Sequence, residues 1–156
     1  MIKKKTALEK ATDLLAHMEQ SSTVLRRKLL ARHYDAAEVD AAIDKLKQYK
    51  YLDDEETCRR QFEIFYSEGK LSIRQIVAKL IQRGFDQNFI EQLIPDNTDE
   101  HERLVAKKLL AKKFSAATFD RTKAWQFLSS RGFDGEIISS VVDDFKIDAQ
   151  NFESTH

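Results

Sequence analysis

Cysteine and proline are nearly absent from this sequence, which has one of each and only four glycines among its 156 residues. The single cysteine, Cys58, cannot form an internal disulfide, which favours a reducing compartment such as the cytoplasm. No apolar run approaches the ~18 residues that a membrane-spanning helix needs, and the basic N-terminus is not followed by the apolar stretch of a signal peptide. We therefore expect a cytoplasmic protein without a membrane segment.

The sequence also lacks the residue patterns of catalytic and metal sites. Its four histidines show no His-x-x-x-His spacing and there is no Cys-x-x-Cys pair, so no zinc site is indicated. It contains no Gly-rich phosphate loop and no Gly-x-Ser-x-Gly elbow. The four acids at residues 53–56 fit the first turn of a helix better than a metal-binding loop. These absences predict a protein that is not an enzyme and that uses neither a cofactor nor a metal.

What the sequence does contain is one short turn written three times: Arg32-His33-Tyr34-Asp35, Arg83-Gly84-Phe85-Asp86 and Arg131-Gly132-Phe133-Asp134. The copies begin 51 and 48 residues apart. Apolar residues recur four, seven and eight positions after each Asp, and three and seven positions before each Arg, which is the spacing of one helical face. Each turn is therefore predicted to join two helices, and a further helix fits ahead of each pair.

This repeat predicts the fold class and the domain bounds. We expect an all-α protein of three tandem three-helix repeats at residues 1–51, 52–97 and 98–147, followed by a tail at residues 148–156. Pro95, the only proline, closes the second repeat.

Helical spacing also assigns individual side chains to the inside of their helices. Ile81 and Trp125 are each predicted to face a core on this basis, and Leu104 is one of the apolar residues of the helix that opens the third repeat. Cys58 is expected to be a small buried residue of a helix rather than a nucleophile.

The turn itself is predicted to be scaffold. Gly84 and Gly132 can adopt the positive φ that follows a helix, and His33 belongs to the few non-glycine residue types that tolerate it. The aspartate that ends each copy is placed to accept hydrogen bonds from the first N–H groups of the next helix. In the first copy, Glu38 would complete a capping box with Asp35.

Charge is balanced over the whole chain but not along it. Lys and Arg number 26, as do Asp and Glu, yet residues 1–51 hold 11 basic against 7 acidic residues. No Lys or Arg occurs between Asp86 and Asn97, or between Asp134 and Phe145. The helices after these turns are therefore poorly suited to read DNA as a helix-turn-helix does. The basic helices before the turns are better candidates for contact with an acidic surface.

Several motifs occur in a recognisable order. Tyr51-Leu52-Asp53-Asp54 leads into the middle repeat and is followed by Ile76-x-x-x-Leu80-x-x-Arg83-Gly84. Leu25-Arg26-Arg27-Lys28-Leu29 precedes them, and Phe127-Leu128-x-x-Arg131-Gly132-Phe133 comes after them. With these motifs the chain resembles the RecX family of bacterial recombination regulators over nearly its whole length. It departs from the family at Thr57-Cys58, where an aromatic-Ala pair is common, and at residues 64–72, where an Arg-rich segment is common.

The resemblance implies an elongated, curved array of three-helix units that binds the filament of the RecA recombinase on single-stranded DNA, in the helical groove of the filament. It implies a negative regulator that inhibits ATP hydrolysis, strand exchange and filament extension. We expect a monomer. The candidate partner-binding residues are the basic side chains of the first two repeats: Arg26, Arg27, Lys28, Arg32, Arg59, Arg60, Lys70, Arg74, Lys79 and Arg83.

Two other functions stay open from the sequence. The basic helices of the first two repeats would also serve a protein that binds single- or double-stranded DNA directly, though weakly, with an affinity that falls as salt rises. The third alternative is an interaction scaffold with unrelated partners.

Overall fold

The protein is all-α, as predicted. The computed structural model describes the backbone of residues 3–154 and the side chains of residues 3–145. Within that part of the chain there are nine helices and no strand. The helices are α1 (Ala7–His17), α2 (Ser22–Ala31), α3 (Ala36–Gln48), α4 (Asp54–Glu68), α5 (Ile73–Gln82), α6 (Gln87–Leu93), α7 (Asp99–Lys113), α8 (Arg121–Ser130) and α9 (Gly135–Ser154).

Side-chain oxygens fix the starts of several helices. Ser21, Ser72 and Asp120 each accept a hydrogen bond from the backbone N–H three residues further on, at 2.9–3.2 Å. These bonds satisfy N–H groups that have no partner inside the helix. Helix α1 starts with a complete capping box between Thr6 and Glu9, which the sequence reading above did not include.

The three repeated turns have the predicted backbone geometry. His33, Gly84 and Gly132 have φ angles of 68, 89 and 86°. In each turn, the N–H of the aromatic residue donates to the carbonyl of the leucine five positions earlier, at 3.2–3.3 Å. This pairing is the Schellman motif, which satisfies carbonyls at the end of a helix. Helix α3 ends in the same way at Lys50, whose φ is 61°.

The predicted capping box of the first turn is wrong. Asp35 stands at the N-cap of α3, but its side chain makes no capping hydrogen bond. Glu38 Oε1 instead accepts a hydrogen bond from the backbone N–H of Ala7 at 3.0 Å. This carboxylate therefore ties the start of α1 to α3, and a long-range contact replaces the local one. Asp86 does cap its helix, accepting from the N–H of Phe89 at 3.0 Å.

The contacts divide the chain into two compact units. Unit 1 comprises Met1–Gln61 and Lys79–Glu91, and unit 2 comprises Phe62–Ala78 and Gln92–His156. The core of unit 1 consists of buried apolar side chains of α1, α2 and α3 together with Leu52. The core of unit 2 consists mainly of those of α7, α8 and α9. The repeat bounds and the elongated, curved array stay predictions.

One of the inward assignments is wrong, because Ile81 is 41% exposed. It stands at the edge of the apolar stripe of α5, five residues after the buried Ile76, and helical spacing alone does not say which edge is left in water. Leu104, on α7, is 55% exposed, whereas the next two residues, Val105 and Ala106, are buried. Trp125, in contrast, packs half-buried against the core of unit 2, as predicted.

The last helix is longer than predicted. Helix α9 continues to Ser154, and thus into the segment assigned as a tail. No glycine or proline follows Gly135, so no residue type that breaks helices interrupts it.

Cys58 is fully buried in α4, as predicted. Burial raises the pKa of its thiol to about 11. Because the thiolate is the reactive form, we expect the folded protein to resist modification by an aromatic disulfide reagent at pH 8. The same reagent should titrate one thiol after unfolding in urea. Rapid modification of the folded protein would contradict this assignment.

Candidate interaction surface

The start of α2 packs directly on the turn between α5 and α6, within unit 1. Ser21 Oγ donates a hydrogen bond to the carbonyl of Arg83 at 2.6 Å. A Cβ atom added at Gly84 would lie 2.8 Å from Ser21 Oγ and 3.0 Å from Thr23 Cβ. Glycine is therefore required here for two reasons, the positive φ and the close approach of another helix.

Unit 2 contains a junction built in the same way. Ser72 Oγ, at the start of α5, donates to the carbonyl of Arg131 at 2.5 Å. A Cβ atom at Gly132 would lie 2.9 Å from Arg74 Cβ. His33, in the first turn, is exposed, so a side chain is tolerated there. Glycine therefore occurs in the two turns on which another helix packs, and histidine occurs in the turn that is exposed.

A carboxylate from a neighbouring helix reinforces each junction. In unit 1, the backbone N–H of Ser22 donates to Asp54 Oδ1 at 2.8 Å, and the Ser22 hydroxyl donates to the same carboxylate. In unit 2, the backbone N–H of Ile73 donates to Glu102 Oε1 at 2.8 Å. Asp54 is the first residue of α4, whereas Glu102 is the fourth residue of α7. Aligning the repeats by their turns therefore does not reveal that the two acids play the same part.

Glu102 is the more buried of these acids, with 8% of its surface exposed. Burial raises the pKa of its carboxyl above the ordinary value of 4.5, although the hydrogen bond from Ile73 opposes this. The folded state therefore binds a proton at Glu102 more readily than the unfolded chain does. The contribution of this group to stability is greatest below its unfolded-state pKa and falls as the pH rises through the raised folded-state pKa.

We expect Glu102→Gln to match or exceed the wild-type free energy of unfolding at pH 7, because the amide oxygen still accepts from Ile73 and carries no charge. Its advantage should shrink as the pH is lowered toward 4. Glu102→Ala, which leaves that N–H without its acceptor, should cost about 1–3 kcal/mol. Urea unfolding at several pH values measures both. An advantage of the Gln variant that grows on acidification would contradict the raised pKa.

Several of the ten basic residues predicted to bind a partner are already paired with carboxylates. All of these pairs are exposed, so each adds little to stability, and each offsets part of the positive charge. The pairs are Arg26 with Asp40 at 2.8 Å, Arg59 with Glu56 at 3.1 Å, Arg60 with Glu19, and Arg74 with Asp134 at 3.3 Å. Arg59 also lies over the ring of Phe89, 5.7 Å from its centroid.

A second group has no ion pair within residues 3–145: Arg27, Lys28, Arg32 and Lys70. Three of them lie together at the end of α2, where the Arg32 guanidinium donates to the carbonyl of Lys28 at 3.0 Å. Arg27 and Arg32 are exposed, and Lys28 is half-buried. The end of α2 is therefore a surface with unmatched positive charge.

Arg60 and Arg83 each contact a residue beside the junction of unit 1. Arg60 pairs with Glu19, two residues before the Ser21 that bonds Arg83, and Arg83 itself donates to Gln61 Oε1 at 2.8 Å. Lys79 is exposed on α5 in the same unit. Lys70 and Arg74 belong to unit 2. The ten residues are thus spread over both units, with eight of them in unit 1.

Over residues 3–145, whose side chains the structure describes, no group of three or more His, Cys, Asp and Glu side chains is arranged to hold a metal ion. In the same part of the chain, no helix combines the length and the apolar character that crossing a membrane requires.

Sequence comparison identifies the relatives of this chain. It is 32% identical to the regulatory protein RecX of Thermus thermophilus over 127 residues, which cover 81% of this chain and 83% of that protein. The chain belongs to the RecX family. The regulatory protein RecX of Chlorobaculum tepidum is 30% identical over 145 residues, covering 90% of this chain and 88% of that one. A sequence profile described as RecX, first three-helix domain, matches residues 7–46, which contain α1, α2 and most of α3.

The fold is also that of RecX proteins of known structure. The crystal structure of RecX from Lactobacillus salivarius matches with a TM-score of 0.72 at 18% identity, covering 90% of this chain and 95% of that one. A second RecX crystal structure matches with a TM-score of 0.76 at 20% identity, covering 88% of this chain and 71% of that one. At these identities the likeness is one of fold. The RecX relatives found by sequence are named as regulatory proteins.

Proposed function

We propose that this protein is a negative regulator of the RecA recombinase. It binds the RecA filament on single-stranded DNA, in the helical groove of the filament, and inhibits ATP hydrolysis, strand exchange and filament extension. The observation that carries the proposal is the 32% identity to a RecX regulatory protein over 81% of the chain. We further propose that it acts in the cytoplasm, as a monomer and without catalysis of its own.

The junctions supply a physical reason why such a chain suits a filament. The same contact, a serine hydroxyl on the carbonyl beside a turn glycine, occurs once in each unit. A contact that recurs along the chain suits a partner whose identical subunits recur at a regular spacing, as those of a filament do. Several weak contacts made in register then add up to stable binding. An elongated array predicts a radius of gyration above the ~15 Å of a compact globule of this length, which small-angle X-ray scattering measures.

Within the ten candidate residues, we propose that the end of α2 contributes most to binding. Arg27, Lys28 and Arg32 carry charge that no carboxylate within residues 3–145 neutralises. A paired residue such as Arg26 would first have to break its ion pair, here with Asp40, before it binds a partner. Contacts from unmatched charge therefore gain more free energy on binding.

The ATPase activity of RecA on single-stranded DNA tests the proposal. The wild-type protein should inhibit it at micromolar concentration or below. Replacing Arg27, Lys28 and Arg32 together by alanine should raise the inhibitory concentration about tenfold or more. The matched control removes the same charge in unit 2, at the exposed Arg103, Lys112 and Lys123. We expect this control to inhibit as the wild type does. An unaffected ATPase with wild-type protein would overturn the proposal.

Direct DNA binding is the alternative that the same charges favour. It predicts an affinity for naked DNA whose logarithm falls linearly with the logarithm of salt concentration, with a slope set by the number of phosphates contacted. Fluorescence anisotropy with labelled single- and double-stranded oligonucleotides measures it. A protein that inhibits RecA but shows a flat or absent DNA response supports the filament itself as the partner.

A further inference from the structure

Unit 1 has a largely apolar groove that none of the ten candidate partner-binding residues lines. It lies between α1 and α3 and has a volume of about 540 Å³. Leu8, Leu15 and Ala16 line it from α1, and Lys45, Tyr49 and Tyr51 line it from α3 and the residues just beyond. Ligand sites in proteins span about 300–1,000 Å³, so the groove is large enough to take several side chains of a partner.

Two large aromatic side chains at the groove are exposed to solvent. Tyr49 is 61% exposed and Tyr51 is 75% exposed. Two aromatic rings beside a trough whose lining is aliphatic except for Thr12 and Lys45 form a mostly apolar surface, which is typical of an interaction site.

The shape of the groove fits a helix better than a compact ligand. Leu8, Leu15 and Ala16 fall on one stripe of α1 that covers two helical turns. A smaller groove of about 300 Å³ shares Leu8 and Lys45 with the first and continues it toward the start of α1. An elongated trough between two helices accepts the apolar face of a third helix, whose anchoring side chains recur at i, i+3 or i+4, and i+7.

The charge at the groove favours an acidic partner. Lys45 is the only charged residue that lines the larger groove, and it lines the smaller one as well. Glu38, which lines the smaller groove, already accepts a hydrogen bond from the N–H of Ala7. Within residues 3–145, no carboxylate forms an ion pair with Lys45.

From this largely apolar trough with an unmatched lysine in its lining, we propose that the groove binds an acidic amphipathic helix of a partner protein. Two or three apolar side chains of that helix fill the trough, and a glutamate or aspartate beside them pairs with Lys45. The groove needs neither the residues at the end of α2 nor the proposed action on RecA.

A designed peptide tests the proposal on the full-length protein. The probe is a short Ala-rich helical peptide with three leucines at i, i+3 and i+7 and glutamates beside them, labelled with fluorescein. We expect saturable binding by anisotropy, and chemical-shift changes in the ¹⁵N-labelled protein confined to α1, α3 and the residues up to Tyr51. Ala16→Gln, which places a polar side chain in the trough, should weaken binding about fivefold or more. Lys45→Gln should weaken it about threefold.

Matched variants outside the groove serve as controls. Ala31→Gln on α2 and Lys123→Gln on α8 change exposed residues in the same way and should leave the dissociation constant unchanged. Equal binding of a peptide with lysines in place of the glutamates would overturn the proposal, as would the absence of saturable binding at millimolar peptide. Shift changes in α1 and α3 that depend on protein concentration without peptide would assign the groove to a second copy of the chain instead.

Discussion

Replacing Gly132 with alanine is expected to lower the free energy of unfolding by about 2–5 kcal/mol, because two costs add. At a φ of 86° any residue with a Cβ is strained, by roughly 1–2 kcal/mol. The new Cβ would also lie 2.9 Å from Arg74 Cβ, and overpacking of this kind costs about 1–3 kcal/mol. Because Arg74 Cβ is fixed to its backbone, α5 itself has to move. Urea unfolding followed by far-UV circular dichroism measures the change.

Gly84→Ala should behave similarly, since its φ is 89° and the new Cβ would lie 2.8 Å from Ser21 Oγ. His33 provides the control that isolates the strain. It holds a φ of 68° in the same turn but is exposed, so His33→Gly removes the strain alone and should raise the free energy of unfolding by no more than about 1–2 kcal/mol. A Gly132→Ala cost no larger than the gain at His33 would show that packing on the turn is not what selects glycine.

Features decided within a few residues could be predicted from the sequence. The turn at Gly84 follows from backbone freedom and from hydrogen bonds that span five residues, so its pattern reveals it directly. The serine caps and the buried Cys58 are local in the same sense. The all-α fold class follows from these local features, because they mark where each helix begins and ends.

The junctions could not be predicted, because their partners are far apart in the chain. Ser21 meets Arg83 across 62 residues and Ser72 meets Arg131 across 59. Each serine also caps its own helix, and that local role explains its presence without any second contact. The local capping role therefore accounts for both serines, and nothing in the sequence indicates their second, long-range hydrogen bonds.

The basic residues show the same limit. From the sequence, a lysine or arginine on the outside of a helix is predicted to be unpaired. In the structure, Arg26, Arg60 and Arg74 form ion pairs with carboxylates 14, 41 and 60 residues away. Only the folded chain separates these from the unmatched group at the end of α2. The candidate set from the sequence was therefore larger than the set whose charge is available to a partner.

Leu128 and Leu104 should differ sharply when each is replaced by alanine, although both are leucines of helices in unit 2. Leu128 is fully buried in unit 2, so Leu128→Ala should cost about 2–5 kcal/mol through lost burial and the cavity it leaves. Leu104, in the same unit, is 55% exposed, so Leu104→Ala should stay within about 0.5 kcal/mol. Urea unfolding of both variants measures the difference. Equal costs would mean that another surface covers Leu104 in solution, and the cost at Leu104 would then fall on dilution if that surface belonged to a second copy.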